Sequence, residues 1–519
     1  MSKSAVSISF FVLLFCLEWS SSQSDCPYRC QCFRSDQVLC ADERMSSLPR
    51  NMSRQVRDFI LMTSSVSYLF TNTLEDSPQL CKLIFLNNAI RSVHSQAFED
   101  LVQLQDLEIS GNPWLEHLYL GTFSKQHNLT NLMLNYNRLK TVLPGMFASL
   151  RQLETLQMKG NIISHLPPLL FSNLSRLTVL DLSINKLEVV SRETFWGLGK
   201  LEILKLSQNL LRNLSSGSLS DVGTLKELYL EGNKISELSK DTFSELSSLE
   251  VLNLRGNVLK TFTGEIFGIS KVVLRELNLK GNQLYEFSPT GNLSSLTSLD
   301  LSSNQLYALC KEVFQNMTNL ENLEVSENQI SSLPETIFNE LFNLKVVNFQ
   351  ANNLSSIQPK LFEDQALIEQ LNLSDNRLQT LPEGLMDTFS VQHMLRLHGN
   401  PWKCDCGLWY LHDWVLRNGQ NVEMLDRTLC ESPAFLNRRS MDSVEREQLV
   451  CHMGKDHSVD VRNCLMQVSG DAVIIKCKVE TCLPLAVKVQ LQDELGNVKE
   501  HVVRNEWTDS AQCSNMTLE

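Results

Sequence analysis

LTNLMLNYN, residues 129–137, is the stretch that decides the fold. Leucine occupies its first, fourth and sixth places and asparagine its last, so the stretch reads L-x-x-L-x-L-x-x-N. Twelve of the thirteen spacings between successive asparagines of this pattern are 24 or 25 residues, and the exception is 22. The series is Asn88, Asn112, Asn137, Asn161, Asn185, Asn209, Asn233, Asn257, Asn282, Asn304, Asn328, Asn352, Asn376 and Asn400. One further unit, VRDFILMTS, has Ser64 at the asparagine position.

Fifteen units at this period are typical of leucine-rich repeats, whose length is about 20 to 29 residues. The sequence therefore predicts an α/β leucine-rich-repeat solenoid, a horseshoe with a concave parallel β-sheet. Strands about 4.8 Å apart over fourteen steps make a sheet roughly 65 Å long. Such a surface suits a protein partner and is a poor shape for a small molecule.

The physical chemistry of each position follows from this architecture. Alternate residues of a strand point to the same side, so Leu132 and Leu134 should enter the core while their neighbours point outward. A buried asparagine must have its amide satisfied, and a ladder of asparagines can bond the backbone of adjacent turns. A phenylalanine follows most of the asparagines by ten residues, which predicts an aromatic spine on the convex side. These are Phe98, Phe147, Phe171, Phe195, Phe243, Phe267, Phe314, Phe338 and Phe362.

Composition and the first residues indicate the compartment. Lys3 precedes an apolar run and then SSSQS, a layout typical of a secretory signal peptide over residues 1–24. No other segment reaches the length of a membrane span, so a soluble, secreted chain is expected. The formal charge of −13 provides no basic footprint for nucleic acid; it favours a basic partner or simply keeps the protein soluble.

Fourteen cysteines remain beyond the signal segment, clustered at the two ends of the repeats. An even count in an oxidising compartment favours disulfides, although four cysteines allow three connectivities. The predicted domains are an N-terminal cap over 25–55, repeats over 56–402, a C-terminal cap over 403–452 and a disulfide-bonded β-rich module over 453–519. The disulfide candidates are Cys26, Cys30, Cys32, Cys40, Cys404, Cys406, Cys430, Cys451, Cys464, Cys477, Cys482 and Cys513.

Details of the caps leave some alternatives open. LWYLHDWVL predicts a short helix, and the lid over the last repeat would consist of Trp402, Trp409, Tyr410 and Trp414. Zinc ligation by Cys404, Cys406, Cys430 and His412 is an alternative that a secreted chain makes improbable. Cys81 and Cys310 lie far apart in the repeats. Either both are buried free thiols, or one of them forms a disulfide with another chain.

No catalytic or metal motif stands out. The ten histidines include no H-x-x-E or H-E-x-x-H spacing, and no glycine-rich phosphate loop or G-x-S-x-G elbow occurs. Only His398 falls on a predicted concave position. We therefore expect a chain that is not an enzyme and that holds neither metal nor cofactor.

Acidic residues at outward strand positions are the candidate partner-binding residues. They would receive basic side chains of a partner and steer its approach, or they are simply solvated charges. The candidate residues, seven acids and one tyrosine, are Asp106, Glu108, Glu227, Tyr229, Glu231, Glu276, Asp300 and Glu324.

Nine N-x-S/T sequons predict glycosylation of a secreted chain. Most fall outside the strands, whereas a sugar on Asn372 would obstruct the C-terminal part of the concave face. The candidates are Asn51, Asn128, Asn173, Asn213, Asn292, Asn316, Asn353, Asn372 and Asn515.

The whole pattern resembles the non-catalytic regulatory subunits of carboxypeptidase N. The resemblance rests on CPYRCQCF, FLNNAI, LHGNPWKCDCGLWYLHDWV, REQLVC and above all on the tail with NEWTDSAQC. It implies a glycosylated plasma scaffold that binds a catalytic zinc-carboxypeptidase subunit, associates as a dimer of heterodimers, and stabilises an enzyme that removes C-terminal Lys or Arg. It also implies the pairs Cys26–Cys32, Cys30–Cys40, Cys404–Cys430 and Cys406–Cys451. Two competing hypotheses are a receptor-like module for matrix or microbial ligands and an enzyme in its own right.

Overall fold

The computed structural model describes residues 26–50, 52–71, 74–215, 217–269, 273–289, 293–389 and 392–450, and the backbone of six strands between 458 and 518. The predicted signal peptide, residues 1–24, lies outside the described residues. So do Asn51, Asn292, Cys451, Cys482 and Cys513, and so do the side chains of Cys464, Cys477 and Asn515.

One sheet of eighteen strands forms the concave face. Its strands pair in parallel from turn to turn, except for an antiparallel hairpin at the entrance. The hairpin is Cys30–Arg34 with Gln37–Ala41, the repeat strands follow, and Val422–Glu423 closes the sheet. The repeat strands are Asp58–Met62, Lys82–Leu86, Asp106–Ser110, Asn131–Met133, Thr155–Gln157, Val179–Asp181, Ile203–Lys205, Glu227–Tyr229, Val251–Asn253, Glu276–Asn278, Ser298–Asp300, Asn322–Glu324, Val346–Asn348, Gln370–Asn372 and Met394–Arg396. We name each turn after the residue at its asparagine position, from Ser64 to Asn400.

Strand alternation places the core as the sequence predicts. Leu132 and Leu134 are fully buried, and the residues on either side of Leu132 are only partly buried. The register is strict, because Leu204 lies between Leu180 of the turn before and Leu228 of the turn after. Each turn thus covers the apolar side of its neighbour, and one core runs through the whole solenoid.

The buried asparagines form the predicted ladder. In the Asn257 turn, the side-chain amide donates to the carbonyl of Leu230 in the preceding turn (3.0 Å) and to that of Leu254 in its own turn (2.9 Å). Its Oδ1 accepts a hydrogen bond from the backbone N–H of Ile235 (3.0 Å). Because all of these groups are buried, the three bonds satisfy polar atoms that would otherwise destabilise the core.

The phenylalanine spine is confirmed. All nine predicted phenylalanines are buried, and Phe338 stacks on Phe314 and Phe362 with ring centroids 6.2 and 5.6 Å apart. Phe123 joins the spine against Phe147, at 6.3 Å. It follows Asn112 by eleven residues rather than ten, in a turn whose extra residue precedes the phenylalanine.

A left-handed backbone position immediately before each asparagine was not predicted from the sequence. This residue has a positive φ in every described turn, from 50° at Thr63 to 72° at Gly399. Glycine occupies the position in six turns, and residues as unfavourable as Ile184 (φ 55°) occupy it in others. The left-handed residue turns the chain out of the strand so that the asparagine points inward.

Short elements on the flanks complete the turns. Three parallel pairs of short strands lie there: Tyr68–Leu69 with Ser92–Val93, Asn213–Leu214 with Glu237–Leu238, and Thr261–Thr263 with Glu286–Ser288. The 3₁₀ helices of the described repeats are Arg192–Thr194 and Gly264–Phe267. Those of the C-terminal cap are Cys406–Leu408, Gly419–Asn421, Leu425–Arg427, Ala434–Leu436, Met441–Ser443 and Arg446–Gln448.

Both caps are disulfide-bonded. The entrance cap contains Cys26–Cys32 and Cys30–Cys40, and the exit cap contains Cys404–Cys430, which are the pairs that the resemblance implies. Cys406 is also disulfide-bonded, and its expected partner lies outside the described residues. The zinc alternative is therefore wrong for these cysteines, since their thiols are consumed.

The exit cap covers the last repeat with one helix and several aromatic residues. The helix is Trp409–Asn418, which begins one residue after the predicted segment begins and continues two residues beyond its end. Trp402 is fully buried and donates its indole N–H to Leu397 O (3.0 Å). Tyr410 donates to Asp387 (3.0 Å) and accepts the backbone N–H of Met386 (2.9 Å). A strand pair, Trp402–Lys403 with Cys430–Ser432, ties the cap together.

Within the single chain, the two cysteines of the repeats are free, and a bond from one of them to another chain stays a prediction. Cys81 is half-buried and Cys310 is exposed, so the expectation of burial is wrong for Cys310. Cys310 lies on the flank six residues after Asn304, where eight of the other turns carry serine, threonine or proline. A half-buried or exposed thiol costs little there, because the position faces solvent.

The C-terminal residues form β-structure, as their sequence predicts. Ser458–Val461, Cys464–Ser469, Ala472–Lys478 and Asn515–Leu518 make one antiparallel sheet, and Leu485–Gln492 pairs with Val498–Asn505. In the first sheet Cys464 is the register partner of Cys477.

Candidate protein-binding surface

The concave face is formed by the outward residues of fifteen successive strands. In each turn these residues lie six, four, two and one places before the asparagine, and the leucines between them are buried. All eight candidate residues predicted from the sequence fall on this face. We divide them into three groups. The N-terminal group lies five strands from Glu227, whereas Glu276 lies on the strand next to that of Asp300.

The central group surrounds Tyr229. Glu227 and Tyr229 belong to one strand, and the Tyr229 hydroxyl donates to Oε2 of Glu227 (2.9 Å). Burial, this hydrogen bond and the charges of Glu227, Glu276 and Glu231 raise the pKa of Tyr229 to about 12. The ammonium of Lys205 lies 5.4 Å from the centre of the tyrosine ring. The group is therefore a carboxylate cluster with Lys205 at one edge and Arg255 in the turn after Glu231.

Two carboxylates of the central group have no partner among the described residues. Glu276 is exposed and forms neither an ion pair nor a side-chain hydrogen bond with them. Oε2 of Glu231 is buried and accepts no hydrogen bond from them. A positively charged side chain could therefore bind here without displacing an internal ion pair.

The C-terminal group is more strongly tied to its own neighbours. Asp300 accepts hydrogen bonds from the backbone and the hydroxyl of Ser302, and Glu324 accepts one from Asn348 (2.7 Å). Burial is the main cause that raises the pKa of the Glu324 carboxyl above its ordinary value, and Asp300 adds to it. Next to this group, Arg396 forms an ion pair with Glu423 of the exit cap. These carboxylates are less available to a partner than those around Tyr229.

The N-terminal group divides between one engaged and one free carboxylate. Asp106 accepts a hydrogen bond from Asn131 (2.6 Å). Glu108 is half-buried and forms no hydrogen bond or ion pair with the residues that the structure describes. The register places Glu108 opposite Ile84 on one side and Met133 on the other.

The predicted sequons differ in accessibility. Asn128, Asn173, Asn213 and Asn316 are exposed and Asn353 is half-buried. Asn372 is buried: its amide nitrogen donates to Gln350 (3.2 Å) and its oxygen accepts from Ser374. Asn372 occupies an outward strand position, as the sequence analysis has it, but its neighbours on the sheet enclose its side chain. A sugar cannot be attached there without breaking these bonds.

The histidines named in the sequence analysis, His398 and His412, lie in different parts of the structure. His398 is half-buried, and His412 lies in the exit cap with Nε2 hydrogen-bonded to Val444 O (2.7 Å). Among the described residues, no group of three or more His, Cys, Asp or Glu could hold a metal ion. A shallow groove of about 600 Å³ lies on the flank, lined mainly by apolar residues such as Tyr68, Phe70 and Tyr119.

Sequence reasoning identified the acidic positions but missed the contacts that distinguish them. The partners Asn131, Asn348 and Lys205 come from adjacent turns, 24 or 25 residues away. Reading the outward positions as columns across the turns would have found these pairs, because the repeat register is strict.

Comparison with known proteins agrees with this geometry. The family model described as "Leucine rich repeat" matches residues 115–163, 156–211, 175–235, 223–284, 294–348 and 342–401, which together make up more than half of the chain. The chain belongs to the leucine-rich-repeat family. A leucine-rich-repeat protein of Leptospira interrogans superposes with a TM-score of 0.63 at 28% identity, over 73% of this chain and 93% of that one. Toll, solved in its complex with Spatzle from Drosophila, superposes with a TM-score of 0.66 at 21% identity, over 82% of this chain and 58% of that one. The second likeness concerns the fold alone.

Curated relatives agree with the resemblance in sequence. Human carboxypeptidase N subunit 2 is 34% identical over 148 residues, which are 24% of this leucine-rich-repeat chain and 27% of the relative. The mouse protein of that name is 39% identical over 74 residues, 14% of this chain and 13% of the relative. Mouse podocan-like protein 1 is 28% identical over 200 residues, 31% of this chain and 36% of the relative. The matches thus span about a quarter of the human subunit and about a third of podocan-like protein 1.

The structure also bears on membrane insertion. Within the residues it describes, no helix has the length and apolar character needed to cross a bilayer.

Proposed function

We propose that this chain is a secreted, glycosylated scaffold that binds and stabilises the catalytic subunit of a zinc carboxypeptidase. That enzyme removes C-terminal Lys or Arg from peptides in plasma. The scaffold contributes no catalytic group, zinc ligand or cofactor of its own, and two scaffold–enzyme pairs associate into a larger complex.

The observation that carries this proposal is the similarity to the two carboxypeptidase N subunits 2, at 34% and 39% identity. Their name denotes a subunit of a carboxypeptidase. The matching segments cover only part of each relative, so the transfer of a partner to this chain is part of the proposal. The leucine-rich-repeat fold is compatible with it, since a solenoid presents a long surface for protein recognition.

The concave face provides the charge that such an interaction uses. Acidic side chains outnumber basic ones at its outward positions. The acidic residues are Asp58, Asp106, Glu108, Asp181, Glu227, Glu231, Glu276, Asp300, Glu324, Glu327 and Asp375. The basic residues are Lys82, Lys159, Lys205, Arg255, Lys280 and Arg396. A basic protein surface is attracted to this face, and the attraction accelerates its docking at low salt.

Glu276 is the best candidate of the central group for direct contact, because it is exposed. Oε2 of Glu231 lacks a hydrogen-bond donor among the described residues but is buried, so Glu231 contributes its charge rather than this oxygen. Asp300 and Glu324 contribute mainly to the field, because neighbouring side chains already engage them. Sugars on the exposed sequons of the flanks would leave this centre open.

Capture of the native complex tests the proposal. The glycosylated chain is isolated from plasma under mild conditions, and the eluate is assayed for release of C-terminal Lys or Arg. We expect activity that a chelator abolishes, together with a second, smaller polypeptide. An inactive single polypeptide, with the active carboxypeptidase left in the unbound fraction, would contradict the proposal and favour the receptor-like module. Chelator-sensitive activity of the chain expressed alone would instead favour an enzyme.

A further inference from the structure

The first two turns differ from all others at two of the four outward positions of the concave face. Four and two residues before the asparagine position, they carry Ile60, Met62, Ile84 and Leu86. Two residues before the asparagine, every later turn has a polar or charged residue. These are Ser110, Asn135, Lys159, Ser183, Ser207, Glu231, Arg255, Lys280, Ser302, Ser326, Gln350, Ser374 and His398. Four residues before it, Met133 is the only apolar aliphatic residue in the later turns.

The fold does not require apolar residues at these positions. The third turn forms a strand of the same length, Asp106–Ser110, with Glu108 and Ser110 in their place. The later turns, whose strands are shorter, keep the asparagine bonds and the left-handed residue with serine, asparagine or a charge at these positions. A partly exposed apolar side chain also gains less from the core than the leucines beside it, which are fully buried. These apolar residues therefore indicate a binding surface, because the solenoid does not need them in order to fold.

The register joins these residues into one patch. Ile60 is the register partner of Ile84, Met62 is that of Leu86, and Leu39 of the entrance cap pairs with Ile60. All five are half-buried, so part of each side chain faces solvent. We call Leu39, Ile60, Met62, Ile84 and Leu86 the apolar seat. It spans three adjacent strands, a width of about 10 Å.

The border of the seat carries both signs of charge. Lys82 is the register partner of Asp58 and of Asp106, and Glu108 is the carboxylate that is available for binding. Glu108 is the register partner of Ile84, and it forms neither an ion pair nor a hydrogen bond with any residue that the structure describes. The other two acids of this region are engaged, Asp58 by Gln37 (2.7 Å) and Asp106 by Asn131 (2.6 Å). The complementary surface therefore carries apolar side chains with a Lys or Arg directly beside them.

We propose that the apolar seat and Glu108 form the anchor of the docking surface for the basic protein partner. The inference rests on the proposed function, under which that partner is the catalytic carboxypeptidase subunit. Apolar side chains of the partner pack on the seat, and an adjacent Lys or Arg forms an ion pair with Glu108. Tyr229 lies six strands beyond Ile84, a distance of about 29 Å along the sheet. A domain-sized protein can therefore contact the seat and the central carboxylates at once.

Variants taken from the repeat itself test the anchor without introducing foreign residues. Ile84→Asn places at this position the residue found at Asn253, Asn278 and Asn348, and Leu86→Ser places the residue found at Ser183 and Ser207. The matched control is Met394→Gln at the far end of the same face, because Gln370 occupies the same position one turn earlier. Affinity of the full-length chain for the purified catalytic subunit is measured by calorimetry or biolayer interferometry, and unfolding is measured in parallel.

We expect the double variant I84N/L86S to bind at least about tenfold more weakly than the wild type, and M394Q to bind like the wild type. Glu108→Lys should weaken binding most at low salt, which keeps the test decisive if the double variant unfolds. Wild-type affinity in I84N/L86S or in E108K would overturn the anchor while leaving the proposed function intact. A wild-type chain that does not bind the catalytic subunit would overturn both.

Discussion

The hydroxyl of Tyr229 donates a 2.9 Å hydrogen bond to Glu227, two residues earlier on the same strand, in the middle of the concave face. Burial raises the pKa of Tyr229 to about 12, with this hydrogen bond and the surrounding carboxylates as further causes. The resulting stabilisation is complete below the pKa of an unfolded tyrosine, near 10, and is lost as the pH rises from about 10 to about 12. We expect Tyr229→Phe to lose less stability over that interval than the wild type. Denaturation at a series of pH values measures this loss of stability. Equal losses in Tyr229→Phe and the wild type would contradict the raised pKa of Tyr229.

The asparagine ladder predicts a large effect for one side chain. Asn257→Ala leaves the N–H of Ile235 and the carbonyls of Leu230 and Leu254 without their bonds in a buried layer. We expect the free energy of unfolding to fall by about 2–3 kcal/mol. The control is Asn253→Ala, four residues earlier, whose side chain accepts one bond at the surface from Arg255. Denaturant unfolding should show less than about 1 kcal/mol for the control, and equal effects would refute the ladder's role.

The left-handed position predicts opposite effects for two substitutions. Ile184 is β-branched and has φ 55°, so Ile184→Gly should raise the free energy of unfolding by about 1 kcal/mol. Gly256 has φ 65° with nothing nearer than 3.7 Å to an added Cβ, so the cost of Gly256→Ala is conformational. Gly256→Ala should therefore lower the free energy of unfolding by about 1 kcal/mol. Thermal melting of both variants checks this pair, and a shift of the same sign in both would contradict it.

The raised pKa of the Glu324 carboxyl predicts that removing its charge stabilises the folded protein at neutral pH. Burial raises the pKa of its carboxyl, so the folded state is relatively more stable when Glu324 is protonated and loses that advantage as the pH rises through its folded pKa. Glu324→Gln keeps an acceptor for Asn348 and removes the buried charge. We expect a higher melting temperature than the wild type at neutral pH, with the difference vanishing in acid. The exposed Glu276→Gln is the control and should show no such difference.

The backbone of the C-terminal strands predicts a disulfide. Cys464 and Cys477 are register partners in an antiparallel pair, a position where Cα atoms are about 4.5–5.5 Å apart and a disulfide can form. Peptide mapping without reduction should find Cys464 bonded to Cys477 and, by elimination, Cys482 to Cys513. Any other pairing would show that this register is not the one the chain adopts.

Much of the fold follows from the sequence because each turn repeats the same local requirements. Each turn buries the same residue types at the same positions: leucines at alternate strand positions, an asparagine and a phenylalanine. Their burial could therefore be predicted. The left-handed residue before each asparagine could also have been found, since six turns have glycine there. The pairings of the caps followed from resemblance rather than from spacing.

The parts of the surface that could not be predicted depend on contacts between neighbouring turns. The burial of Asn372 depends on Gln350, and the raised pKa of Glu324 depends on how adjacent strands enclose it. Neither is encoded within a single repeat. The half-buried apolar seat was missed for a similar reason: it emerges only when the same position is compared across all turns.

The affinity of the full-length chain for the catalytic carboxypeptidase subunit, measured at low and moderate salt, tests the central claim most directly. The variant with Glu227, Glu231 and Glu276 changed to Lys is compared with a matched reversal of Glu188, Glu237 and Glu286, exposed residues on the flank. We predict that the wild type and the flank variant bind, and that the concave variant binds at least about tenfold more weakly at low salt, with a smaller difference as salt screens the charges. Equal affinity of all three chains at both salt concentrations would contradict the claim that this face receives the partner.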